Sequence, residues 1–355
     1  MKMIKTASAF AAGAALLFIL SRAGRGAADA YRSVMNPFWV GTLGRVMGWV
    51  PCSVAELLIV GAMGLVAGWI FVFIFRLVKK RPLREMVLRA ARFLALVAGV
   101  MLFLFEAGEG VYFSCTTFAE RYGLLRGAYT TEELTAVCLD LAEAVNVTAD
   151  EVTRDGDGYM AVDEGLKDRV RTAMAALGED YPELGGFYPR PKGVLIAPAM
   201  SYADLAGIYS IFTVEANYNR DMTDYNLPFT MCHELSHLKG VMPENEANFI
   251  GFLACIRSGD ADIRYSGLLT AWIYCGNELY KRDHDTWTVI YEGLDERVRA
   301  DLRANSAFWD RYKGPVREAS REINDSYLKA LGLESGFESY NEVVDLIISW
   351  YLQQT

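Results

Sequence analysis

Three apolar stretches in the first third of the chain set the main constraint, because a helix needs about 20 mostly apolar residues to cross the hydrocarbon core of a bilayer. Ser53 to Phe75 meets that length, is interrupted only by Glu56 near one end, and carries Gly61, Ala62, Gly64 and Gly68, small residues that let helices approach closely. Val87 to Phe105 follows, with Arg89 and Arg92 near one end, where long side chains reach the interface, and Glu106 closing the other. Thr6 to Leu20 is shorter, follows Lys2 and Lys5, and has Ala28-Asp29-Ala30 downstream. It is read as a retained anchor, with a cleaved signal peptide as the competing reading. The expected membrane region is residues 1–110, with two or three transmembrane helices at 6–20, 53–75 and 87–105.

Charge divides at nearly the same place. Residues 1–92 hold 13 Lys and Arg against three acids, whereas the remainder holds 22 basic and 41 acidic residues. The basic cluster of Arg76, Lys79, Lys80, Arg81, Arg84, Arg89 and Arg92 flanks the second and third spans and is expected to stay cytoplasmic, which puts everything after the third span outside. An acidic domain of this kind argues against a nucleic-acid partner, since phosphate binding needs a basic face. Six cysteines without CxxC spacing are too sparse for a disulfide framework, and only Cys115 with Cys138 is weighed as a bridge.

Tyr31 to Pro51 reads as a loop and amphipathic helix at the membrane surface. Residues 111–129 read as a linker, and 130–355 as an extracytoplasmic domain of mainly α, α+β character. Thr131-Glu132-Glu133 opens a helix that Leu134, Val137, Cys138, Leu141 and Ala142 continue at helical spacing. Val194 to Pro198 and Ile211 to Tyr218 have strand-like content. Leu294 to Leu331 is expected as amphipathic helix broken at Gly314-Pro315, and Tyr340 to Leu352 as a terminal helix.

The chemistry concentrates in Cys232-His233-Glu234-Leu235-Ser236-His237. Residues four apart share a helix face, so His233 and His237 can put imidazole nitrogens on one Zn2+, while Glu234 sits where it can take a proton from a zinc-activated water. A catalytic zinc needs a third protein ligand and an open position. Gly240 ends the first helix, Pro243 is well placed to begin another, and Glu244-Asn245-Glu246-Ala247-Asn248 follows. Glu244 or Glu246 supplies the third ligand; a helix cannot aim both at one ion.

At this point the chain resembles the gluzincins, whose second motif is a helical Glu often followed four residues later by Asp or Asn. Glu244 and Asn248 match that spacing, so the resemblance favours Glu244 and leaves Glu246 as the alternative ligand or a partner behind the ligands. It implies a zincin-like fold and peptide-bond hydrolysis. The connector from His237 to Glu244 is unusually short for that class. More widely the chain resembles an uncharacterised family of bacterial multi-pass membrane proteins, a domain of unknown function, through Trp49-Val50-Pro51-Cys52-Ser53, Thr213 to Asn219, Leu227 to Thr230, the two zinc segments, Tyr265-Ser266-Gly267 and Ser339-Tyr340. That resemblance implies the architecture and carries no substrate.

Three further positions carry roles that compete with ordinary packing or solvation. Glu215 to Asn219 is where a zincin places the edge strand that pairs with substrate backbone, Tyr265 or Tyr274 is a donor to the oxyanion, and His284 is the one other histidine, in a charged stretch. The expected function is a membrane-anchored zinc metallopeptidase whose partners are a lipid bilayer and a peptide or protein substrate. The alternative is a catalytically silent zincin-fold binding or sensor protein of the cell envelope.

Overall fold

The computed structural model describes residues 2–124, 127–330 and 342–354, and it divides into two units. The first comprises Met1–Cys115 together with Ser210–Glu215. Its helices are α1 (Lys2–Arg22), α2 (Arg25–Trp39), α3 (Arg45–Gly48), α4 (Val54–Val78) and α5 (Arg84–Phe105). Three helical segments, Lys2–Arg22, Val54–Val78 and Arg84–Ser114, are long and apolar enough to cross a membrane, and this points to membrane association. A helix suits that setting because it satisfies every backbone N–H and C=O within the segment. α1 lies against α5 at small residues: a Cβ on Gly99 would stand 2.8 Å from the Ala7 carbonyl, and Phe10 meets Phe103 edge to face at 5.6 Å. α4 starts on Ser53, whose side chain accepts from Glu56 N–H, while the Glu215 carboxylate accepts from the amides of Val54 (3.2 Å) and Ala55 (2.9 Å). Those four orphan N–H groups of a helix start are where an acceptor is most needed.

The second unit comprises Thr116–Tyr209 and Ala216–Thr355. It is mostly helical: α6 (Phe118–Arg121), α7 (Thr131–Thr148), α8 (Leu166–Ala176), α9 (Ala197–Tyr202), α10 (Asn226–Leu238), α11 (Glu244–Ile256), α12 (Ala261–Arg282), α13 (His284–Glu292), α14 (Glu296–Asp310), α15 (Pro315–Ala330) and α16 (Val343–Gln354). A three-stranded sheet of β1 (Lys192–Gly193), β2 (Gly207–Ser210) and β3 (Glu215–Tyr218) has the order β1-β3-β2, with β1 and β3 parallel. The core lies where α10, α11 and α12 meet, around Leu235, Phe249, Phe252, Leu253 and Leu269, all essentially removed from solvent. Truncating a buried Phe such as Phe249 to Ala would cost about 3–5 kcal/mol. α10 and α11 cross closely because Gly251 faces the His233 backbone, where a Cβ would already stand 3.3 Å from the amide nitrogen.

Several local expectations change. The segment read as a linker carries the short helix α6, held by a capping box between Thr117 and Glu120. Val194 to Pro198 is not a strand: β1 ends at Gly193, and Pro198 stands in the first turn of α9, where its fixed φ and missing N–H cost nothing. Only Glu215–Tyr218 of the second expected strand is extended, after Val214 at φ 54. β3 is the central strand, so Glu215 to Asn219 does not form the substrate-pairing edge; β1 and β2 are the edges. α7 begins with the Thr130–Glu133 capping box, and α14 and α15 part at Gly314 and Pro315 as the sequence indicates. Cys115 and Cys138 are free thiols. Ser339 and Tyr340 lie outside the described residues.

Candidate metal centre

α10 carries His233, Glu234 and His237, and its end determines what meets them. Gly240 adopts φ 82, its N–H donates to the His237 carbonyl (2.8 Å), and Val241 N–H donates to Ser236 (3.3 Å). This pair of bonds is the Schellman stop that a glycine permits without steric cost. Pro243, extended at φ −62 and ψ 128, then starts α11 with Glu244 as its first residue. The short connector turns α11 back against α10 instead of away from it.

The three expected ligands converge. His233 Nε2 and His237 Nε2 are 3.0 Å apart, and Glu244 Oε2 is 3.3 Å from the first and 3.6 Å from the second. His237 Nδ1 is 2.8 Å from the Val241 carbonyl, a contact that puts a proton on Nδ1, so that the ring in its neutral form presents its lone pair at Nε2. Ligand atoms bound at about 2.0–2.1 Å in a tetrahedron stand roughly 3.3 Å apart, so these separations fit one first-row divalent ion. Among the described residues this is the one group of three or more His, Cys, Asp or Glu side chains so arranged.

Electrostatics within the cluster are strong because its side chains are largely buried. Burial opposes the charged form of His237, but the Glu244 carboxylate, with Glu234 and the Val241 carbonyl, overrides it and raises the pKa to about 9. Burial likewise opposes ionisation of Glu244, and the two histidines hold its pKa well below the usual carboxylate range. Glu234 is 4% exposed, and burial raises its pKa to about 7 against the attraction of both histidines, with Glu244 adding to the rise. Its Oε2 has no hydrogen-bond partner among the described residues, and neither has His233 Nδ1. A carboxyl poised near neutrality beside three convergent donor atoms can accept a proton and return it.

The other candidates separate clearly. Glu246, 1% exposed, faces away from the ligands and accepts the amides of Phe118 (2.8 Å) and Ala119 (2.7 Å) at the start of α6. Asn248 stays on the Glu244 face: its Oδ1 accepts from the Tyr274 hydroxyl at 3.3 Å, and its Nδ2 has no partner among the described residues. Burial, and then the charge of Glu244, raise the Tyr274 pKa, which marks that phenol as a neighbour of the Glu244 carboxylate. Tyr265 is not brought to the cluster; it is fully buried and donates to Asp301 Oδ2 at 2.6 Å. His284 stands exposed at the start of α13, against the Tyr280 ring.

One element at the site has no advance signal in the sequence. Gly207, at the start of β2, comes so close to Glu234 that a Cβ there would collide with its carboxylate. A single glycine 27 positions before Glu234 is not distinguishable from any other in the chain. The match to a family model described as "Protein of unknown function (DUF3810)" spans residues 31–348. No curated protein and no solved structure matches.

Proposed function

Since the chain belongs to this family of proteins of unknown function, its chemistry has to be read from its own residues, and we propose that it is a membrane-anchored zinc metallopeptidase with a zincin-like second unit. The observation that carries the reading is the convergence of His233, His237 and Glu244 on one point with Glu234 beside them. His233 Nε2, His237 Nε2 and Glu244 Oε2 would hold the metal, and Val241 would fix the His237 tautomer. A zinc ion bound there supplies Lewis acidity, polarising a carbonyl and making water a better acid.

The remaining steps belong to side chains. Glu234, buried beside the three convergent donor atoms, takes the proton of the attacking water and passes it to the leaving amine as the C–N bond breaks. Tyr274 takes the part of oxyanion donor in place of Tyr265: it senses the charge of Glu244 and holds Asn248 only at 3.3 Å, whereas the Tyr265 hydroxyl donates to Asp301 at 2.6 Å away from the cluster. β2, the sheet edge beside Glu234, takes the substrate backbone in place of the central β3. The basic segment Arg76 to Arg92 supports a multi-pass anchor in a bacterial membrane with the second unit outside the cytoplasm, acting on a peptide or protein there.

Glu234→Gln tests the division of labour. The variant should keep its zinc, because Glu234 is not among the three ligand atoms, and hydrolysis of a trial peptide mixture should fall by about 10²–10⁴. Zinc retained with hydrolysis equal to wild type refutes the mechanism; no hydrolysis in either protein favours a silent binding or sensor protein.

A further inference from the structure

The strand beside Glu234 is held from two sides, and the outer hold is electrostatic. The turn that leads into β2, residues 203–206, is fixed on its inner side by Asn219, which is fully buried. The Asn219 amide donates to the Ala206 carbonyl (2.8 Å), and its Nδ2 donates to the Leu205 carbonyl (3.3 Å) and to Ser201 Oγ (2.8 Å). On the outer side Asp204 receives Arg317 at 2.9 Å and Arg321 at 2.6 Å, both from α15, and Ser320 Oγ donates to the Ala203 carbonyl at 2.7 Å. Asp204 itself has φ 58, a left-handed conformation that Asp and Asn tolerate better than other L residues.

The apolar side of α15 does not provide this hold. Val316 is 59% exposed and Ile323 71% exposed, so the helix meets the turn through polar groups. It follows Gly314, at φ 153 with open space around it, and Pro315, and its far end is packed by the buried Leu328. Two residues separate Asp204 from Gly207, a stretch of at most roughly 10 Å when fully extended. A shift of the turn therefore reaches Gly207 with little slack.

We propose that Asp204 is a positioning residue: clamped by Arg317 and Arg321, it fixes the turn and so sets how closely β2 borders Glu234. The proposal rests on Glu234 as the proton-transferring group. Its consequence is that α15 regulates the site from outside it. With the clamp closed, β2 keeps water from the Glu234 carboxylate; with it open, β2 moves off and the carboxylate is solvated. Because Arg321 is about half exposed, added salt weakens that arm of the clamp.

Hydrogen–deuterium exchange on the full-length, zinc-loaded protein in detergent tests this. Asp204→Asn keeps tolerance of the left-handed backbone and removes the charge; Arg317→Gln with Arg321→Gln removes the partners; Arg317→Lys with Arg321→Lys restores charge. Amides of residues 205–210 should exchange at least tenfold faster in the first two variants and return to within about threefold of wild type in the third, with residues 226–238 unchanged in all. Unchanged exchange at 205–210, or an equal rise at 226–238, overturns the proposal, the second because it would show general loosening. Hydrolysis of a peptide mixture measured in parallel keeps the two readings apart: a silent wild type removes the peptidase proposal, and the exchange still decides the clamp.

Discussion

Protons and zinc should compete for His237. In the metal-free protein burial disfavours the imidazolium, yet Glu244 and its neighbours outweigh burial and lift the pKa from 6.5 to about 9. Imidazole coordinates only as the neutral base, so that proton has to leave as metal enters. One proton of this kind weakens apparent affinity tenfold for each pH unit below the pKa, or about 1.4 kcal/mol per unit, which makes about a hundredfold between pH 9 and 7. The same proton affects stability with a definite sign. The folded-state pKa is the higher one, so the protonated pair stabilises the metal-free protein fully below about pH 6.5 and loses that contribution as pH rises through about 9, roughly 3 kcal/mol in all. Zinc-loaded protein should not show this loss, since the ion's charge replaces the proton's. Competition against a chromophoric chelator across this pH range gives the affinities, and melting of chelator-treated and zinc-loaded protein gives the stabilities. An affinity that stays constant from pH 7 to 9 would refute the reasoning, because it would mean that His237 holds no proton for zinc to displace.

The two carboxylates of α11 should separate by assay. Glu244→Gln should strip zinc from the purified protein, whereas Glu246→Gln should keep it and lower stability by about 1.5–3 kcal/mol for a lost charged acceptor, as read by metal analysis and melting. Reversed zinc losses would make Glu246 the ligand. A reporter fused after Thr355 should be active only outside the cytoplasm; activity confined to the cytoplasm would overturn the orientation drawn from Arg76 to Arg92.

What could be read in advance was what depends on local sequence. The apolar stretches, the Thr130 helix start, the Gly314-Pro315 break and the HELSH helix each follow from residues within a turn or two of one another, and the helices stand near the expected positions. The Glu244–Asn248 spacing favoured Glu244 but left Glu246 open as the alternative. Both lie in the first turn of α11, and what distinguishes them is a pair of amides at Phe118 and Ala119, more than a hundred residues earlier. Tyr265 and Tyr274 share α12 and differ only in which neighbour each hydroxyl meets, Asp301 or Asn248. Strand order was hidden for the same reason: β3 is central through pairing with β1, whose two residues carry almost no strand signal of their own. Gly207 matters only because a distant carboxylate needs the space that its missing Cβ leaves.

The carboxylate of Glu246 also dictates where this protein can be cut. A soluble fragment begun at Thr130, where the acidic domain starts by composition, would discard Phe118 and Ala119 and strip two amide donors from an acid that is 1% exposed. That acid sits two positions from Glu244 on the same helix, so the damage of a careless truncation would fall beside the metal ligand and could pass for a protein that binds no zinc. A fragment that begins before Thr117 keeps the whole of α6 and its capping box, and is the one whose metal content would report on the molecule itself.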